Sequence, residues 1–256
     1  MKKDSLKLLT IGNSFSDDSM KYVYDIAVRV GIEKPVLGNL YIPGCSLDRH
    51  FKNAEGDLPE YEYRTNTNGE WITTPETKLS TALAAEDWEI ISMQQQSGNS
   101  GMPDSYGHLG DLIKYVRSFC PNATLVWNMT WAFPGDSTHR DFVKYDSDQQ
   151  KMYSAIVNTV KKVIIPSGEF SLVIPTGTAI QNARTSYLGD TLNRDGLHLS
   201  YRTGRFTAGL TFVRALTGRD IEGIDFRPED VDEKAAQTVK RAATNAVINP
   251  FEVTPF

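Results

Sequence analysis

Five short apolar runs, rich in Val, Ile and Leu and each followed by turn residues, divide the chain: Leu6–Ile11, Val36–Ile42, Trp88–Met93, Thr124–Met129 and Ser171–Pro175. Runs of this length read as buried strands. Helical stripes lie between most of them. Met20, Val23, Ile26, Ala27 and Val30 recur at helical spacing with Gly31 as a C-cap. Leu109, Leu112, Ile113, Val116 and Phe119 form a second stripe, stopped by Pro121. Phe142–Ile165 reads as a long helix ended by Pro166. Phe206, Leu210, Val213 and Leu216 mark another that ends at Gly218, and residues 229–246 an Ala-rich last helix. Strands alternating with helices predict an α/β fold, a parallel sheet covered on both faces. Tyr61–Thr74 breaks the rhythm by alternating around Asn68-Gly69. It predicts a β-hairpin insertion, about 60–74, decorating a single domain of residues 1–256.

In an open parallel sheet, ligands bind beyond the carboxyl ends of the strands. That edge carries Gly12-Asn13-Ser14, Pro43-Gly44-Cys45, Gln94-Gln95-Gln96-Ser97-Gly98 and Thr130-Trp131-Ala132-Phe133. Asp195-Gly196-Leu197-His198 falls in the last long loop before a helix. A serine, an aspartate and a histidine in that order are the parts of a serine hydrolase, if the fold brings the ends together.

Each part has an alternative reading. Ser14 opens a helix, where a serine commonly caps, although Ser16, Asp17 and Ser19 compete for that work. Asp-Gly is a common turn. Its value here lies in a carboxylate three residues before an imidazole, close enough to fix the tautomer so that Nε2 accepts a proton. His50, His108 and His139 lack the same local arrangement, and the Asp48–His50 pair reads as part of a helix start. Acyl transfer also needs donors for the oxyanion. The Ser14 and Gly44 N–H groups and a side-chain amide after the third strand are candidates, with a simple turn and a polar strand end as the alternatives.

Composition removes other classes. The 256 residues carry 27 basic and 32 acidic side chains, a net charge of −5, which speaks against nucleic acid or an anionic membrane as partner. No apolar run is long enough to span a bilayer. Met1-Lys2-Lys3 is like the start of a signal peptide, yet no apolar core follows. The chain as written reads as cytoplasmic, or as periplasmic or secreted if a leader has been removed. Cys45 and Cys120 read as free thiols. There is no Gly-x-Ser-x-Gly elbow, P-loop, dinucleotide-binding glycine motif or paired-His metal spacing.

These residues resemble the SGNH (GDSL-like) hydrolase superfamily, and in particular a branch described only as a domain of unknown function common in Bacteroidetes. The first block is similar to Ile11-Gly12-Asn13-Ser14-Phe15-Ser16, the second to Pro43-Gly44-Cys45-Ser46-Leu47, and the last, Asp-x-x-His, to Asp195 and His198. The third block departs. The superfamily places an Asn in a Gly-x-Asn-Asp stretch where this chain has Gln94-Gln95-Gln96-Ser97, so Gln96 takes its position, with Gln94 as fallback and Asn99 as a weaker alternative. The resemblance runs from the first strand to the helix after His198. It implies a three-layer α/β/α flavodoxin-like sandwich with a five-stranded parallel sheet in the order 2-1-3-4-5. It implies Ser14, Asp195 and His198 as catalytic residues, Ser14, Gly44 and Gln96 as the oxyanion hole, and hydrolysis through an acyl-enzyme with neither metal nor organic cofactor. It further implies a small-molecule or oligosaccharide ester as substrate, a carbohydrate O-acetyl ester above all.

Asn13, Gln94 and Trp131 are expected to touch substrate, with Tyr41 and Phe133 as further aromatic walls. Arg49, Arg184 or Arg194 could hold a carboxylate or a sugar hydroxyl, solvated surface arginines being the alternative. Two competing readings remain. One is a non-catalytic glycan- or flavin-phosphate-binding protein of the same fold, for which Asp17 and Asp18 beside Ser14 would repel a phosphate. The other is a cysteine hydrolase using Cys45 and His50.

Overall fold

The computed structural model describes residues 5–256, so Met1-Lys2-Lys3 lies outside the described residues. Each of the five apolar runs contains a strand: β1 (Lys7–Gly12), β2 (Val36–Tyr41), β5 (Ile90–Met93), β6 (Thr124–Asn128) and β7 (Leu172–Ile174). They pair in parallel in the order β2-β1-β5-β6-β7. β1 lies between two neighbours and is covered on both faces, which is why Leu8, Leu9 and Ile11 are all apolar and all buried rather than alternating. Each such side chain contributes roughly 2 kcal/mol of transfer free energy.

The expected five-stranded, purely parallel sheet needs one correction. The hairpin, β3 (Tyr61–Asn66) and β4 (Ile72–Thr77), does not decorate the domain but extends the sheet. β3 pairs antiparallel with β2, giving a seven-stranded mixed sheet in the order β4-β3-β2-β1-β5-β6-β7. The reason is the free edge that β2 would otherwise present. β3 covers it, Tyr61 is buried in the process, and the side chain of Tyr63 lies over Gly38 of β2. β4 becomes the new edge, and it is mostly exposed and contains Pro75, as suits a strand with one unpaired side.

The helices form two groups. α3 (Leu47–Glu55), α4 (Leu79–Leu83) and α5 (Leu109–Phe119) pack together. α1 (Ser14–Met20), α2 (Val23–Arg29), α8 (Thr176–Arg184), α9 (Thr203–Thr217) and α10 (Glu233–Ile248) form the second group. The single stripe Met20–Val30 is divided, because the chain turns at Lys21–Tyr22 between α1 and α2. The long helix expected over Phe142–Ile165 is also divided. Left-handed Asp146 and Ser147 end a 3-10 segment, Arg140–Tyr145, and Asp148 caps α6 (Gln149–Thr159) through the Lys151 N–H at 2.9 Å. A π-helical turn, Val160–Ile164, then leads to the short α7 (Ile165–Ser167). Pro166 has no N–H to donate, and a widened turn just before it accommodates that loss. α8 went unread in the sequence: its small and polar residues show no apolar stripe, because the helix is buried on all sides.

Candidate active site

β1 delivers Asn13 and Ser14 directly into α1. The residue that caps α1 is Asn13, whose Oδ1 accepts the Phe15 N–H at 3.0 Å. Ser14 is therefore released from the capping role that its position suggested. Asn13 is itself held from below by a chain of buried amides. Thr176 Oγ1 donates to Asn128 Oδ1 at 2.7 Å, Asn128 Nδ2 to Gln94 Oε1 at 2.8 Å, and Gln94 Nε2 to Asn13 Oδ1 at 3.0 Å. Asn13 Nδ2 then donates to Cys45 O at 3.0 Å, tying the serine loop to the Gly44 turn. All these links lie in the interior, where a missing partner would cost about 1–3 kcal/mol.

The Gly44 turn is closed by the Cys45 N–H to Ile42 O bond at 3.2 Å. Pro43 and Gly44 fill its two central positions, and Gly44 has φ +60°, the sign that a type II turn requires of its third residue. Gln95 ties the next loop to this one: its Oε1 accepts the Leu47 and Gln96 N–H groups at 3.0 and 2.8 Å. The three consecutive glutamines thus separate. Gln94 and Gln95 are buried and structural, and the Gln96 side chain faces the open rim, with its amide 3.5 Å from Asp141 Oδ2.

Asp195 and His198 sit on the loop between α8 and α9. Asp195 Oδ2 lies 2.9 Å from His198 Nδ1, while Oδ1 accepts the Leu197 and His198 N–H groups at 2.9 and 2.7 Å. Partial burial pushes the Asp195 carboxyl up, but these hydrogen bonds outweigh it and hold the group below its ordinary value. An ionised carboxylate only accepts, so the proton of a neutral His198 sits on Nδ1 and the Nε2 lone pair is free. The loop is pinned on both sides. Trp131 Nε1 and Asn193 Nδ2 both donate to Leu197 O, at 2.8 and 3.1 Å. Buried Asp18 of α1 accepts the Leu199 N–H at 2.8 Å and the Arg194 guanidinium at 2.9 Å.

Ser14, Gly44, Gln96 and His198 line one cleft of about 460 Å³, together with Asn13, Tyr41, Pro43, Ser97, His139, Arg140, Asp141 and Leu197. Two residues 184 positions apart, Ser14 and His198, thus face the same space. Among the described residues no hydrogen bond joins their side chains. Hydrogen bonds between a nucleophile and its base in enzymes commonly tighten only when substrate binds. The Ser14 N–H, the first of α1, and the Gly44 N–H border the same space and make no intramolecular bond among the described residues.

Several expected contacts fall elsewhere. Trp131 is fully buried, stacked on Phe15 with ring centroids 3.9 Å apart, and Phe133 is equally buried, so neither offers a face to a ligand. Their apolar rings fill the core beneath the rim, which is the stronger demand on large aromatics. Gln94 has both ends of its amide engaged inside the protein and does not reach the cleft. Asn13 borders the cleft but spends its side chain on α1 and Cys45. Tyr41 does line the cleft, with Arg64 stacked on it at 4.0 Å.

The three arginines considered from sequence all have carboxylate partners: Arg49 with Glu60, Arg184 with Asp190 and Arg194 with Asp18. Asp17 and Asp18 are likewise neutralised, by Arg64, Arg194 and Arg205, so repulsion of a phosphate no longer follows from them. The cysteine reading fails on geometry: Cys45 is buried, and His50 Nδ1 is 2.9 Å from Tyr61 Oη. Burial pushes the Cys45 thiol up to about 12 and the His50 imidazole down to about 3, the reverse of an activated pair.

Sequence reading missed the wall formed by His139, Arg140 and Asp141. The only available signal was polar residues clustered between the Thr130–Phe133 rim and the helix expected from Phe142.

The family model described as a domain of unknown function, DUF4886, matches residues 7–246. A crystal structure of a DUF4886 family protein from Bacteroides uniformis is 41% identical, covers 98% of each chain and superposes with a TM-score of 0.95. A candidate SGNH hydrolase from Slackia heliotrinireducens is 18% identical, covering 83% of this chain and 99% of its own, with a TM-score of 0.54. A mutant of an acetyl-xylooligosaccharide esterase from a Geobacillus is 16% identical, covering 90% and 100%, with a TM-score of 0.50. These two likenesses establish a shared fold. No curated protein matches.

Proposed function

The chain belongs to the DUF4886 family, and we propose that it is a serine esterase. One observation carries the reading: Ser14, Gly44, Gln96 and His198 line a single cleft while Asp195 holds His198 Nδ1 at 2.9 Å. In this reading His198 Nε2 takes the Ser14 proton as the hydroxyl oxygen attacks the ester carbonyl. The tetrahedral oxyanion is met by the Ser14 and Gly44 N–H groups and by the Gln96 amide. His198 returns the proton to the leaving alcohol, then removes one from the water that releases the acid. Asp195 stabilises the imidazolium formed in between and keeps its own charge. Each oxyanion donor is worth about 3 kcal/mol of barrier.

The substrate class we favour is an O-acetylated carbohydrate. The fold shared with an acetyl-xylooligosaccharide esterase supports it, as do a cleft lined mostly by polar residues and a half-buried Tyr41 on which a sugar ring could stack.

The test is hydrolysis of para-nitrophenyl acetate and acetylated xylo-oligosaccharides by the wild type and by Ser14→Ala. The wild type is expected to release acetate and the variant to lose at least about 10⁴ in kcat. Equal turnover by both would remove Ser14 as nucleophile. A glycan-binding protein without turnover is the second reading, favoured by the Gln-for-Asn exchange at position 96, and binding without acetate release would support it.

A further inference from the structure

The chain has 13 arginines, and twelve of them are engaged. Their partners are carboxylates, backbone carbonyls, a tyrosine hydroxyl or aromatic rings. Arg140 is the exception. Among the described residues its exposed side chain has no hydrogen bond, ion pair or ring contact, and it lines the same cleft as Ser14 and His198. In a chain with a net charge of −5 an arginine finds an acid easily, so a bare guanidinium at this place is a feature of the site.

The surroundings leave its charge uncancelled. The neighbouring Asp141 is taken by Lys144, whose Nζ lies 2.9 Å from Oδ1. Its carboxylate is seated against Gly98, where a Cβ would come within 2.3 Å of Oδ2, and among the described residues it forms no ion pair with Arg140. His139 Nδ1 accepts the Asp141 N–H at 3.2 Å, so the neutral ring carries its proton on Nε2 and is a further donor on this wall. The Gln96 amide adds a third. Behind the cleft's lining, Asp195 is committed to His198, and Arg64, stacked on Tyr41, to Asp17 and Glu62.

We propose that Arg140 reads a carboxylate on the substrate, so that the ester taken by this cleft is an acidic one. This rests on the esterase reading of the cleft and narrows its substrate class. A guanidinium presents two parallel N–H groups that match the two oxygens of a carboxylate, and the planar fork loses little freedom on binding. A neutral acetylated sugar would leave that group to water.

The experiment compares matched esters differing only in charge. Para-acetoxybenzoate against para-acetoxybenzamide puts the carboxylate on the alcohol side. The mono-para-nitrophenyl ester of adipate against para-nitrophenyl hexanoate puts it on the acyl side. For at least one pair, the ratio of kcat/KM for the acidic to the neutral ester should fall about tenfold in Arg140→Gln, the size of one charge-assisted hydrogen bond. It should recover in part in Arg140→Lys. An unchanged ratio in both pairs overturns the proposal. Binding of para-acetoxybenzoate and para-acetoxybenzamide to Ser14→Ala, measured by calorimetry with and without Arg140→Gln, judges Arg140 without turnover. Tighter binding of the acid that disappears with Arg140 supports the proposal, and equal binding of both overturns it. Absence of hydrolysis of all four esters by the wild type counts against the esterase reading and leaves the binding comparison decisive for Arg140.

Discussion

Asp18 and Arg194 are 176 residues apart in sequence and 2.9 Å apart in space. Asp18 stands one turn beyond Ser14 on α1, and Arg194 directly precedes Asp195. Asp18 also accepts from Arg205 Nε at 2.7 Å and the Leu199 N–H at 2.8 Å. One fully buried carboxylate thus fastens the helix that begins at Ser14 to the loop that carries His198.

Asp18→Asn keeps the shape of the side chain and removes its charge, leaving two partly buried guanidinium groups with only their longer partners, Arg205 with Asp17 at 3.6 Å and Arg194 with Asp195 at 3.9 Å. A loss of about 3 kcal/mol of stability is expected, because breaking a buried ion pair is costlier than never having had one. The esterase kcat should fall with it as the loop of residues 194–199 loosens. Urea unfolding together with para-nitrophenyl acetate kinetics checks this. Intact kcat in a destabilised variant would show that other contacts suffice to hold the loop.

Gln96→Ala removes the side-chain donor and only two long contacts, to Ser97 and Asp141 at 3.5 Å each, while the Gln96 backbone bond to Gln95 remains. The expected result is a fall of about 10² in kcat at unchanged thermal stability, typical of deleting one oxyanion donor. An unaffected kcat would leave the backbone N–H groups of Ser14 and Gly44 to hold the oxyanion without it.

His50 is buried and its imidazole is pushed down to about 3, chiefly by desolvation, with Arg49 adding in the same direction. The unfolded chain, with an ordinary value near 6.5, therefore binds the proton first as pH falls. Stability should decline from about pH 6.5 downward and keep declining until the folded state also protonates. His50→Gln should flatten that part of the curve. Urea midpoints of both proteins at pH 7 and 4.5 test it, and an equal drop in the two would assign the acid sensitivity to other groups.

Cys45 sits under the Gly44 turn with its thiol pushed up to about 12 by burial. Iodoacetamide at neutral pH should leave the folded protein unmodified at this position and its activity intact, and modify it readily in urea. Rapid inactivation of the native protein would mean that the turn opens far more often than its packing implies.

The parallel core of the sheet was legible because burial on both faces demands predominantly apolar strands without polar alternation, and β1, β2, β5 and β6 are written that way. Helix ends marked by Gly218 and Pro121 were legible for the same kind of local reason. The partner of the hairpin was not. The turn signal at Asn68-Gly69 predicts only that its two strands pair with each other, and the three-dimensional arrangement makes the open edge of β2 available to them. Helix α8 was silent because an element buried all round carries no amphipathic signature.

For the site, residue type and local spacing determined Ser14 at a strand–helix junction, Gly44 in its turn, and a carboxylate beside the His198 imidazole, since each depends on neighbours within a few positions. Tertiary structure alone decided which amide of three faces the cleft, that Trp131 is core rather than wall, that Asp18 joins the two ends of the chain, and that Arg140 stands without a partner. Those outcomes depend on which side chains burial consumes and which charges distant segments neutralise, and a linear sequence does not record such distances.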